Sequence, residues 1–282
     1  MDPTLKERME ALESKGLEYQ KEAKYKEALD VYEELLDINR NMYGLHSQEY
    51  EKTSVRLCEL CNLIAMILLN KEKFDVSLLF LKKAESYSLK LPKQTAVTYN
   101  NYACHYRKTG KHRTALMYLQ GALELEWKSD KCDTLADTYL NLCAVLSQLG
   151  RHSEALENVL YSVTLLQEEL LGEESPNMER VPVLAIAYHN MAVELEYLKR
   201  LEESIATYEK ASKFAKRHLG EEHSLAQNLE NVLRNAIEGK EATEKKGNGR
   251  RRGEHERVDA MKKTYKEQRP QTGNKSIKRG YP

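Results

Sequence analysis

Three asparagines recur along the chain, Asn101, Asn141 and Asn190, each two residues before a small side chain (Ala103, Cys143 and Ala192). A primary amide carries a donor and an acceptor, so such a side chain can hold a peptide unit or tie one helix to its neighbour. Both uses stay open on the sequence. The pair Cys58-Glu59-Leu60-Cys61 invites a metal or redox reading. It falls inside a predicted helix, without a second cysteine pair or a histidine at ligand spacing, whereas a structural zinc site takes four ligands. It reads as buried free thiols. His112 and His152 stand where Tyr25 and Phe74 stand earlier in the chain, so they read as packing residues at a turn. No nucleophile elbow, phosphate loop or paired-carboxylate arrangement is present, and Glu168-Glu169 and Glu173-Glu174 read as solvated helix ends. The expectation is a chain that is not an enzyme, with no cofactor, metal or small-molecule substrate.

The elements that must position the asparagines are clearest in Tyr99–Glu126. Tyr99, Tyr102, Ala103 and Tyr106 recur at helical spacing, then Thr109-Gly110-Lys111 interrupts, then Ala115, Leu119 and Ala122 recur. Small residues twelve apart, one per helix, let two antiparallel helices approach closely while larger neighbours fill the space around them. Gly110 can take the left-handed conformation that ends the first helix. The same interval joins Gly16/Ala28, Ala65/Ser77, Ala103/Ala115, Cys143/Ala155 and Ala192/Ser204. Three residues after each first member stands Tyr19, Leu68, Tyr106, Leu146 or Leu195, and four after each second stands Tyr32, Leu81, Leu119, Val159 or Tyr208.

Five hairpins in register resemble the tetratricopeptide repeat, a family of stacked helix pairs, over roughly residues 5–219. The steps between first small residues, 49, 38, 40 and 49, exceed the minimal repeat of about 34. With connectors such as Leu171-Gly172-Glu173-Glu174, these long repeats are similar to those of the kinesin light chain branch. The resemblance implies an all-α, right-handed α-solenoid of about five hairpins (5–44, 47–90, 93–128, 132–171 and 179–219), closed by a capping helix over 222–238. It further implies that the first helices line a concave groove. There Asn101, Asn141 and Asn190 would hold the backbone of an extended peptide, with Asn100, Arg107, Lys108 and His189 among their groove neighbours. Val97, Cys104, Asp137, Ala144, Ser147, Ile186, Val193 and Glu196 share that face. Members that clamp a chaperone's terminal carboxylate carry Lys and Asn, then Asn, then Lys and Arg. The matching places here hold Glu13, Leu17, Leu63, Val97 and Asn101, which departs from that clamp.

Composition fits an all-α chain, with only 13 Gly and 6 Pro in 282 residues and 41% hydrophobic side chains. Formal charge sums to zero but is uneven, about −8 over 1–239 and +8 over 240–282. No apolar run approaches the ~20 residues of a membrane span. The charged N-terminus is no secretory signal, and five cysteines without framework spacing suit a reducing compartment. Thr4 with Glu7 has the form of a capping box opening the first helix, and Pro182 marks the start or a kink of a later one. Residues 239–282 are poor in apolar side chains and rich in charge, the composition of a disordered tail. Arg250, Arg251, Arg252, Lys262 and Lys263 in that tail would contact a polyanion.

Together these features suggest an intracellular, cytoplasmic, non-catalytic adaptor that binds a protein or an extended peptide. The alternative is a structural part of a cytoskeletal or axonemal (ciliary) assembly, its basic tail meeting an acidic polymer such as a microtubule. Nucleic acid is not expected, because base-per-repeat readers need regular spacing.

Overall fold

Five turns of one shape set the architecture of the computed structural model, which describes residues 3–128, 134–171 and 178–241. Seven residues after each first small position the backbone turns left-handed, at Ala23 (φ 57°), Glu72 (59°), Gly110 (77°), Gly150 (72°) and Lys199 (63°). The next residue is always basic. Its amide donates to the carbonyl five residues back, as Lys24 to Tyr19, Lys73 to Leu68, Lys111 to Tyr106, Arg151 to Leu146 and Arg200 to Leu195, at 2.8–2.9 Å. This bond satisfies a carbonyl that the helix end would leave orphaned. It also reverses the chain within a few residues.

Each turn joins two helices: α1 (Pro3–Lys21) to α2 (Tyr25–Tyr43), α3 (Gln48–Asn70) to α4 (Phe74–Ser88), and α5 (Pro92–Lys108) to α6 (His112–Trp127). Beyond these come α7 (Leu135–Gln148) with α8 (His152–Leu171) and α9 (Arg180–Tyr197) with α10 (Leu201–Leu219). An eleventh helix, α11 (224–241), follows. Residues to Leu229 form one compact unit, in which Ala226 and Leu229 of α11 are buried. Residues 230–241, the described part of a second unit, are helical.

The small pairs lie at the helix crossings. Ala65, Ser77, Ala103, Ala115, Cys143, Ala155, Ala192 and Ser204 are all buried. Where the second member is serine, its hydroxyl donates to the backbone carbonyl of the first, Ser77 to Ala65 (2.9 Å) and Ser204 to Ala192 (2.8 Å). Gly16 is required for a different reason, since a Cβ there would stand 2.6 Å from the ring of Tyr32.

The structure amends three expectations. Thr4 lies within α1, which opens at Pro3, because proline is preorganised for a first helical turn. The last helix starts at 224 rather than 222, with His223 Nδ1 accepting from the Leu225 amide at 3.2 Å. Among the described residues α3 is long and apolar enough to cross a membrane. Its Leu57, Leu60, Cys61, Ala65 and Leu69 are instead buried within the stack. Residues 242–282, including Arg250, Arg251, Arg252, Lys262 and Lys263, lie outside the described residues.

Candidate functional site

First helices of neighbouring hairpins touch, α3 with α5, α5 with α7 and α7 with α9, while second helices do not meet to the same extent. First helices are thus neighbours along one side of the stack. α5, α7 and α9 share that side, and each carries one of the recurring asparagines.

Two of the three asparagines are engaged by the neighbouring hairpin. Asn62 of α3 donates through Nδ2 to Thr98 Oγ1 of α5 (3.0 Å), and its Oδ1 accepts from Asn101 Nδ2 (3.0 Å). One repeat later the arrangement recurs. Asn100 of α5 donates to Thr138 Oγ1 of α7 (2.7 Å), and its Oδ1 accepts from Asn141 Nδ2 (3.1 Å). The Thr138 hydroxyl in turn donates to the buried Glu126 Oε1 (2.8 Å), which also accepts from Thr134 (2.6 Å). Each clamp thus uses an asparagine three residues before one small position, and a threonine and an asparagine five and two residues before the next. The buried amides of Asn62 and Asn100 are paired at both ends and hold the helices in register, because breaking one leaves polar atoms without water or partner.

The third asparagine differs. The clamp position of α7 is Leu140 and the threonine position of α9 is Ala187, so nothing in α7 can grip Asn190 in the same way. Half-buried, Asn190 has no side-chain hydrogen bond among the described residues. Beside it Ile186 is 40% exposed and Val193 is half-buried. His189 occupies the clamp position of α9. Its Nδ1 is buried without a partner, its ring lies 5.6 Å from that of Tyr208, and burial pushes its pKa below the usual imidazole value.

The remaining sequence candidates are dispersed. Asn100 is buried between α5 and α7, its amide bonded also to the Ala96 carbonyl (3.3 Å), so it offers no free group to a ligand. Arg107 is half-buried. Lys108 donates to the Leu69 carbonyl in the last turn of α3 (3.0 Å), where a cation complements the helix dipole. Asp137 is held by Arg180 (2.8 Å), which also binds Glu169 (2.7 Å). Cys104 sits against Asn141 Oδ1 at 4.0 Å, and burial raises its pKa. Cys58 and Cys61 are both buried, and burial pushes the Cys61 thiol up to about 12, which suits packing rather than thiolate chemistry.

Sequence reasoning missed Asn62, Thr98, Thr138 and the buried Glu194. The clamp was findable, since an asparagine in one repeat precedes a threonine and an asparagine by fixed offsets in the next. Glu194 was not, because it stands at a position filled by His105 and Val145 in the preceding hairpins. Its carboxylate meets His152 Nδ1 at 2.8 Å, and the His152 ring stacks on Tyr197 (4.1 Å).

Comparison with known proteins bears on the repeats directly. Tetratricopeptide-repeat family models match residues 10–42 and 184–225. Among solved structures, the chain is similar to BtubC (BKLC) from P. vanneervenii at TM-score 0.57 and 19% identity, covering 75% of this chain and 81% of that one. A signal-transduction ATPase with a tetratricopeptide-repeat sensor from Pyrococcus horikoshii gives TM-score 0.53 and 14% identity, covering 79% and 30%. A putative kinesin light chain repeat structure from Podosopora anserina gives 0.48 and 13%, covering 74% and 95%. No curated protein matches the sequence. At these identities the likeness to the solved structures is one of fold.

Proposed function

We propose that this tetratricopeptide-repeat solenoid is a non-catalytic adaptor that binds an extended segment of a partner protein on its concave face. The contact is centred on α9 rather than spread along all three asparagines. The observation that carries this reading is the unpartnered amide of Asn190, set between Ile186 and Val193, while Asn101 and Asn141 bond to neighbouring hairpins. A primary amide with both ends open can donate to one peptide carbonyl and accept from one peptide N–H. Apolar neighbours exclude water from those bonds and take an aliphatic side chain of the ligand. Arg107 and Lys108 extend the same face toward the N-terminal hairpins and bear on how the ligand continues.

Binding to an array of immobilised peptides tests the proposal. Asn190→Ala should weaken the strongest binders about tenfold, the loss of roughly 1.4 kcal/mol expected of a bidentate contact, with the melting temperature unchanged. Asn101→Ala should do the reverse, lowering stability with affinity per folded molecule preserved. If Asn190→Ala binds as the parent does, the α9 assignment is wrong. An acidic-polymer contact by the basic segment 240–282 is a separate proposal, supported by its charge of about +8 and tested by salt-dependent co-sedimentation with and without that segment.

A further inference from the structure

The edge of the stack opposite the five tight turns carries a feature that the concave face does not explain. Here the second helix of each hairpin ends and the next first helix begins. Large apolar side chains project from three successive connections: Leu45 (48% exposed), Leu89 (78%) and Trp127 (71%). Between the first two lies a cleft of about 280 Å³ lined by Leu45, His46, Tyr50, Tyr87, Leu89 and Leu91. That exceeds the roughly 150 Å³ that admits a benzene ring, so it has room for an aromatic side chain. No side chain of the described residues fills it. Trp127, one connection further on, is a large aromatic left 71% exposed.

We propose that two copies of this chain pair edge to edge about a two-fold axis, Trp127 of each entering the Leu45/Leu89 cleft of the other. Two observations point to a second copy as the occupant. The donor side chain and the receiving cleft lie on the same edge, one repeat apart. A copy reversed about an axis between them brings both contacts together at once, the self-complementary arrangement that a closed dimer requires. The flanking charges are reciprocal as well. Glu51 and Lys90 border the cleft, and Glu124 and Lys128 border Trp127, so each patch carries one charge of each sign; in the proposed pair Lys128 faces Glu51 and Glu124 faces Lys90. All four are exposed and have no ion pair among the described residues. Buried aromatic anchors ringed by paired charges are the usual composition of an interface centre.

The chain holds one tryptophan, which makes the test direct. Sedimentation and tryptophan emission of the full chain are followed together from about 1 to 200 µM, the range over which a moderate dimer forms. The expected result is a monomer–dimer transition, with emission moving to shorter wavelength as Trp127 leaves water. Leu89→Glu and Trp127→Ala should each shift the transition at least tenfold upward in concentration, with unchanged melting when dilute, since both side chains are exposed in the monomer. Glu51→Lys should weaken pairing, and Glu51→Lys combined with Lys128→Glu should restore it. A monomer throughout the range overturns the proposal. So does a dimer that Leu89→Glu and Trp127→Ala leave intact, or emission already blue-shifted at the lowest concentration. Asn190→Ala should dimerise like the parent, which keeps this result separate from the peptide-binding test.

Discussion

The contact between the third and fourth hairpins and that between the fourth and fifth use the same backbone arrangement with opposite chemistry. Between α5 and α7 a neutral chain runs from Asn141 through Asn100 to Thr138, ending on the buried Glu126. Between α7 and α9 the matching places hold Leu140 and Ala187, and Leu166 is buried where Glu126 stands one repeat earlier. Polar ties move to the margins, where Arg180 bridges Asp137 and Glu169 and His152 meets Glu194. The stack therefore tolerates either an amide seam or an apolar seam with ionic ends. Which one is used decides whether the asparagine two residues before the small position bonds to the neighbouring hairpin.

Cutting one seam at a time should give the largest effect. Asn100→Ala removes the partner of both Thr138 and Asn141 in a buried setting, and should cost about 1–3 kcal/mol. Arg180→Met releases two carboxylates that are about one-third exposed, so its cost should be nearer 1 kcal/mol at low salt. Urea melts in low and high salt separate the two. The Arg180→Met deficit should shrink as ions screen the pair, and the Asn100→Ala deficit should not. Equal salt dependence would erase the distinction between the seams.

Acid should act on the fifth hairpin through His189, which stands where Asn62 and Asn100 stand in earlier hairpins. Burial holds its folded-state pKa below the ordinary 6.5, so the unfolded chain binds the proton more readily. Its contribution is complete above about pH 6.5 and is lost as pH falls through the depressed folded value. His189→Asn should flatten the fall of the urea midpoint below pH 6.5. A residual slope of the same sign should remain from His105, also lowered by burial. An unchanged slope in His189→Asn would place the imidazole in water.

The hairpins were legible because each depends on a pair of small residues at a fixed interval, and no other side chains fit a close helix crossing. Asn101 and Asn141 were legible as recurring polar residues, but not their partners. The hydrogen bonds of these clamps join positions 36 to 41 residues apart, and the single-helix periodicity that locates a face carries no information about the facing helix. Asn190 keeps the spacing of the other two to its small residue and departs from them through Ala187, three residues before it, and through Leu140, fifty residues upstream. The polar character of His152 was hidden for the same reason, since Glu194 lies on another hairpin. At three of the five tight turns the left-handed residue itself left no trace, because Ala23, Glu72 and Lys199 are not residues that announce such a conformation.

Those turns give the smallest test, and it falls on either side of the contrasted boundary. Gly150 closes α7 and Lys199 closes α9, both with positive φ (72° and 63°) and the same backbone bond five residues back. A Cβ on Gly150 would meet nothing within 4 Å, so Gly150→Ala isolates backbone strain, which is about 1–2 kcal/mol for an L-residue in this region. Reduced freedom of the unfolded chain offsets roughly 0.4–1 kcal/mol of it, leaving a loss near 0.5–1 kcal/mol. Lys199→Gly runs the argument backwards at an exposed position and should stabilise by a similar or slightly smaller amount. Both are read from urea midpoints at fixed slope. Opposite signs of comparable size would show that the two hairpins share one turn geometry whatever seam joins them. A Lys199→Gly variant less stable than the parent would mean that the lysine side chain stabilises the end of α9 by more than its backbone strain costs.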